Sequence, residues 1–440
     1  GDPETYALPV AFVTGEEAER LRRDAPHAIL AELRVSGPVG VEEGWLVDAL
    51  WTRAFADALL QAMVRRRRFR GLQGEVVGWH TRAFRSLRGA PDVPLDPRVC
   101  GAEQSNTSVV YGERFILKAI RKVDEGVNPD LEIHRFLTER TSFRHVAPLA
   151  GALEYRRAQG EPCTLGILNA YVPNEGDAWR YTLDHLVGYY ERVLALPEPE
   201  RAEPVPGASY LELAGAAPPA RVAEAIGAYL ESARLIGQRT GEMHTALASD
   251  PDDPAFAPEP FSALYQRSVY QSVRSLVRRT FQALRRAWRG FPEGVRDDAA
   301  RLLDREAHLL ARIEPIRTRR IHAMRIRTHG DYHLGQLLYT GKDFVVIDFE
   351  GEPVRSVTER RVKRSPLRDV AGMLRSYHYA PFTVLHRQEA AAVVRREDVP
   401  TLRRWARLWA LWSGAAFLDA YLRTAADGGF LPRDREELAV

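Results

Sequence analysis

The chain has 440 residues, 45% hydrophobic and 28% charged, with a net charge of +3. That composition is globular, long enough for two or three structural units. Near-neutrality gives no electrostatic footprint for nucleic acid or an anionic membrane, and no stretch is apolar enough to span one. Cys100 and Cys163 form no disulfide framework, so a reducing, cytoplasmic location is expected. Only four of the 62 basic residues are lysines, Lys118, Lys122, Lys342 and Lys363, which draws attention to each.

Residues 1–97 read as an N-terminal cap. A strand-like start, Tyr6–Val13, precedes a helix near Gly15 and a second amphipathic helix over Trp45–Met63. A Pro-rich link, Arg88–Pro97, closes the cap.

Residues 98–172 read as a small β-rich lobe. Val109–Tyr111 and Phe115–Ile120 alternate as a hairpin around Gly112. The preceding loop, with Ser105, Asn106, Thr107 and Ser108, can offer hydroxyls and backbone N–H groups to phosphates. Lys118 ends a strand, where an ammonium neutralises phosphate. Asn128-Pro129 opens a helix with acids in its first turn, and Glu132 is the expected partner of Lys118. Further strands run to Val172, so that Leu168, Asn169, Ala170 and Tyr171 form the expected adenine hinge.

From residue 173 to 440 the pattern is mainly helical. Ala220–Leu247 carries an apolar stripe, residues 261–289 form a long Arg-rich helix, and Trp405, Trp409 and Trp412 share one helical face. Within this region lies His329-Gly330-Asp331-Tyr332-His333-Leu334-Gly335-Gln336, followed by Phe344–Ile347 and Asp348-Phe349-Glu350. Two short strands joined by a Gly-containing turn bring Asp331 and Gln336 near Asp348. Carboxylates and an amide at one mouth suit Mg²⁺. Asp331 and Gln336 are five residues apart and Asp348 follows the hairpin, the spacing by which protein kinases place a catalytic Asp, a metal-binding amide and a metal-binding Asp. His329-Gly-Asp331-Tyr-His333 also has the alternating pattern of a metallohydrolase site.

These two motifs resemble bacterial maltokinases, as do Pro173–Tyr181 and Arg361–Arg375, and in particular the form fused behind a trehalose synthase domain. The similarity covers nearly the whole chain. The family's Arg-Trp-Phe-Gly-Gly-Lys segment is absent and there is no initiator Met, so the expectation is a truncated cap from a longer fusion. The resemblance implies an α+β, bilobal, aminoglycoside-phosphotransferase-like kinase with an N-terminal cap, a small β-rich N-lobe and a large helical C-lobe. It implies ATP- and Mg²⁺-dependent phosphorylation of maltose to maltose 1-phosphate, with a trehalose synthase domain as partner. Asp331 is then the base, Gln336, Asp348 and Glu350 the metal ligands, and His329, Arg375, Tyr377 and Trp412 the expected sugar contacts. A kinase of another sugar such as glucosamine, and a non-catalytic scaffold for a synthase, are the alternatives.

Overall fold

The computed structural model describes residues 4–37, 40–90, 92–100 and 106–440. The chain divides into two compact units, one of residues 1–190 with 329–362, the other of 191–328 with 363–440. No described helix is long and apolar enough to cross a membrane.

The first unit opens with a three-stranded antiparallel sheet in the order β1-β3-β2, made of β1 (Val10–Val13), β2 (Ile29–Gly37) and β3 (Gly40–Asp48). Its inner face, with Val13 and Val47, packs on Leu21 of α1 (Gly15–Asp24). The helix expected from Trp45 begins later. Trp45 to Asp48 pair with β1 in alternation, and α2 (Arg53–Val64) starts only where the Thr52 hydroxyl caps the Phe55 N–H. Strand pairing here overrides a pattern that fits a helix equally well.

A seven-stranded sheet follows in the order β4-β5-β9-β10-β8-β7-β6. Its strands are β4 (Arg68–Arg70), β5 (Gly74–His80), β6 (Pro97–Val99), β7 (Thr107–Tyr111), β8 (Phe115–Ala119), β9 (Leu149–Arg157) and β10 (Cys163–Ala170). Val109, Phe115, Leu117, Leu153 and Leu168 bury one face of it with Leu60 and Met63 of α2. Each such side chain contributes ~1.5–3 kcal/mol when fully buried. The helix α3 (Pro129–Arg140) is capped by the Asn128 side chain, which accepts from the N–H groups of Asp130 and Leu131.

The chain returns to this unit at His329. The hairpin β11 (Leu337–Tyr339) and β12 (Phe344–Val346) is tied to it at both edges. Val346 bridges Val146 and its N–H donates to His145 O, while Tyr339 N–H donates to Gly176 O.

The second unit is helical, with α4 (Tyr229–Leu247), α5 (Ala263–Ala287), α6 (Leu367–Ala390) and α7 (Val399–Ala425). The stripe read over Ala220–Leu247 is broken by Gly227 at φ +65° into a short helix and α4. At Gly237 an added Cβ would stand 2.2 Å from Phe417 O, so α4 and α7 approach more closely than side chains allow.

Candidate active site

The first unit gathers one ammonium and three carboxylates. Lys118 Nζ lies 3.3 Å from Asp130 Oδ2, 2.5 Å from Asp348 Oδ1 and 2.6 Å from Glu350 Oε1. The two neighbouring strands make this possible: β8 presents Lys118 opposite Ser108 of β7, and the turn after β12 delivers Asp348 and Glu350. Asp348 is held at φ +65°, a left-handed conformation that a non-glycine residue adopts at a local cost. Gly330 and Gly351 stand back to back, and a Cβ on Gly330 would lie 3.2 Å from Gly351 Cα. Both have positive φ, so glycine is required there twice over, and the contact fixes the Asp331 loop beside the acidic turn.

The expected Lys118–Glu132 pair is replaced by Lys118–Asp130. Asp130, 2% exposed, also accepts the Phe349 N–H on Oδ1 at 2.9 Å and faces His134 Nδ1 at 3.0 Å. Glu132 turns the other way and takes a forked pair of hydrogen bonds from Arg361, at 3.1 and 2.7 Å. Two residues are about 200° apart around a helix, so one of these acids faces the sheet and the other does not. The signal was in the spacing: Asp130, His134 and Leu137 form the inward face, all buried, whereas Arg135 pairs outward with Glu139.

Burial pushes the Asp130 carboxyl upward, but the Lys118 and His134 charges outweigh it and hold it well below the usual range. Burial likewise opposes the charge on Lys118, and its three acidic neighbours prevail and raise its pKa. For Glu350 burial wins: with help from Asp130 and Asp348, it raises the carboxyl against the pull of Lys118.

Oxygens of Asp130, Asp348 and Glu350 all lie within 4.8 Å of one another. This hard-oxygen donor set fits Mg²⁺. Asp130 has both oxygens engaged, so Asp348 and Glu350 are the residues that would hold the ion. Since one ammonium faces three acids, removing a charge should relieve the metal-free protein. Glu350→Gln is expected to melt a few degrees higher in EDTA, ~1 kcal/mol being worth about 2–4 °C for 150–250 residues. The sign follows from linkage: the folded chain holds the Glu350 proton more tightly than the unfolded one. The penalty is therefore absent in acid and grows as pH rises from the ordinary carboxylate range through the raised pKa. Mg²⁺ should stabilise the wild type more than the variant. A variant that melts no higher than wild type in EDTA contradicts this account.

Asp331 follows His329, which braces the loop. Its Nε2–H donates to Ile347 O at 2.9 Å and its Nδ1 accepts the Asp331 N–H at 3.4 Å. His329 is 1% exposed, so the expectation of a sugar contact there is corrected: the ring is a strut. Among the described residues the Asp331 carboxylate has no ion-pair partner. Gln336 ends a short 3₁₀ turn capped by His333 Nδ1, and its O accepts the Ile347 N–H at 3.0 Å, so it sits at the root of the acidic turn. Burial lowers the His333 pKa, and the ring feels the charges of Asp331, Asp348 and Asp177.

Three further expectations are changed. Ser105 lies outside the described residues, and Thr107 and Ser108 belong to β7 rather than to a loop. The Thr107 hydroxyl accepts from Arg121, and Asn106 donates to Glu350 Oε1 at 3.2 Å, so this segment touches the acidic cluster directly. Leu168 and Asn169 lie inside β10 with partners on both sides, and the N–H groups of Ala170 and Tyr171 donate to Pro148 O and Arg114 O. The N–H groups of Ala170 and Tyr171 expected to meet adenine are therefore already engaged within the fold. In the second unit Tyr377 is fully buried against Trp409 and Phe417, and Trp412 is 5% exposed, so both are core. Arg375 is exposed on α6.

No family model matches the chain. It is 27% identical over 330 residues to a glucosamine kinase of Streptacidiphilus jiangxiensis, covering 74% of this chain and 61% of that protein. It is 24% identical over 322 residues to a glucosamine kinase of Mycolicibacterium smegmatis, covering 73% and 68%. The match to the first relative thus spans less than two thirds of that protein's length. Among solved structures, a glucosamine kinase in complex with glucosamine, ADP and inorganic phosphate superposes with a TM-score of 0.60 at 21% identity, over 93% of this chain and 86% of that one. A second glucosamine kinase structure gives 0.58 over 92% and 77%. The chain therefore has the α+β fold of these solved kinases, as the sequence led one to expect.

Proposed function

We propose that this protein is an ATP- and Mg²⁺-dependent sugar kinase whose acceptor is an amino sugar of the glucosamine type. The observation that carries the reading is the Lys118–Asp130–Asp348–Glu350 cluster in the same unit as Asp331. Phosphoryl transfer asks mainly for positioning and charge neutralisation. Lys118, fixed by buried Asp130, presents its ammonium to phosphate oxygens. Asp348 and Glu350 would hold the metal, with Gln336 at the root of their turn as the further candidate ligand, and the ion when bound would neutralise charge on the transferring group. Asp331 orients the sugar hydroxyl and accepts its proton late in transfer. The metallohydrolase reading loses support, because His329 is sealed in and His333 caps a turn through Nδ1.

Both curated relatives are named for glucosamine, which favours that acceptor over maltose. Nothing in the relatives' names supports a trehalose synthase partner. The test is ADP release with Mg-ATP across glucosamine, maltose, glucose and trehalose, with the product identified by NMR. Turnover is expected on glucosamine. Turnover on maltose alone, giving an anomeric phosphate, would restore the maltokinase reading. Hydrolysis of substrates without nucleotide would remove the kinase reading altogether.

A further inference from the structure

The second unit contains a concavity of about 1150 Å³. Three segments form it: the start of α5 with the residues just before it, residues 317–324, and the end of α7 with the chain beyond it. They are bonded to one another. Phe261 N–H donates to Ala323 O at 2.9 Å and Met324 N–H to Phe430 O at 3.0 Å. Gln266, 5% exposed, donates from Nε2 to the carbonyls of Ile316 and Arg319, at 2.9 and 2.8 Å, pinning the arginine-bearing wall to α5. His322 is held to Glu437 through both its N–H and its ring.

Five arginines line the basin, Arg267, Arg317, Arg319, Arg320 and Arg433, and no Asp or Glu is among its lining residues. Two acids stand behind the wall: Glu314 pairs with Arg317, and Glu437 pairs with His322 and reaches Arg433. Among the described residues Arg267, Arg319 and Arg320 have no ion-pair partner. The helix that supplies Arg267, α5, carries no acid over its 25 residues, so none of its own side chains offsets that charge. Phe261, Met324 and Leu431 supply apolar wall between the charges.

Arg267, Arg319 and Arg320, guanidinium groups lining one hollow without acidic partners, repel each other, and an anion relieves that repulsion. Their planar forks match phosphate oxygens two at a time. The hollow is far larger than one phosphate, and its apolar wall suits a body attached to the anion. From this geometry we infer that the basin is a second ligand site, taking a small molecule that carries two or more adjacent phosphates. Nothing in the proposed transfer reaction uses these arginines, so the site stands apart from that reading.

The test is calorimetric titration of the full chain with inorganic tripolyphosphate in metal-free, low-salt buffer. Wild type is expected to bind, with orthophosphate at least tenfold weaker. R319E/R320E should lose at least tenfold in affinity, whereas Lys118→Ala should keep it within twofold. Should R319E/R320E fail to fold, by circular dichroism and melting, R433Q takes its place with an expected loss of about threefold or more. ADP added to the Lys118→Ala protein then separates the sources: displacement assigns the basin to nucleotides, and persistence assigns it to the inorganic chain or another diphosphate. Wild-type affinity in R319E/R320E or in its R433Q replacement, abolition by Lys118→Ala, or no binding to wild type would each overturn the inference.

Discussion

Asp331→Asn is expected to lower kcat on the sugar acceptor by about 10²–10⁴-fold, the usual contribution of a positioned general base. KM for ATP should change little, because in the proposed mechanism the phosphates are met by Lys118 on β8 and by a metal that Asp348 and Glu350 would hold on the turn after β12. The amide is isosteric and can still accept one hydrogen bond, so the Gly330–Gly351 contact and the His329 strut should survive. The measurement is steady-state ADP release together with a melting curve. Near-normal turnover would remove Asp331 from the chemistry, and a lowered melting temperature would reassign it to structure.

The second large effect separates two acids that lie on one turn of helix. Asp130→Asn leaves Lys118 without its buried anion and weakens acceptance from the Phe349 N–H. Breaking a buried pair outright costs ~3–5 kcal/mol, and because Asp348 and Glu350 still face Lys118 the expected loss is at the lower end, ~3 kcal/mol. Melting should fall sharply, and kcat/KM for ATP should drop with it, by about a hundredfold for the first ~3 kcal/mol that reaches the transition state. Glu132→Gln, by contrast, removes a partly exposed pair with Arg361 and should cost about 1 kcal/mol or less. The reverse ranking would return the anchoring role to Glu132.

How much of this was legible in the sequence depends on whether neighbours in space are neighbours in the chain. Asp331, Gln336 and Asp348 flank one hairpin, so the spacing was readable, and the pairing of its strands sets Gln336 O against Ile347 N–H, next to Asp348. Lys118 stood out because lysine is scarce here. Choosing Glu132 over Asp130 ignored the helical face, although the apolar neighbours marked it. The strand at Trp45–Asp48 was not legible, since its pattern becomes a strand only when β1 is there to pair with it. His329 was misread because a histidine beside a catalytic loop looks alike whether it meets substrate or plugs the fold beneath. Tyr377 and Trp412 failed similarly: aromatic residues on long helices are usually core, and these are. The arginine basin joins three segments distant in sequence, and no local pattern announces it.

The composition of the first unit from two stretches of chain sets an order of assembly. Residues 1–190 leave the ribosome with the sheet and Lys118, but Asp348 and Glu350 belong to the returning stretch at 329–362. At about 5–20 residues per second, the intervening chain takes on the order of 10 s or more to appear. During that interval Val146, which later bridges Val346, has no strand beside it, and Lys118 has only Asp130 for company. The nascent protein thus makes Lys118 and Asp130 of the cluster first and receives Asp348 and Glu350 late. A ribosome that stalls before residue 329 leaves a product with the lysine and without the acidic turn, its first unit lacking the stretch that completes it.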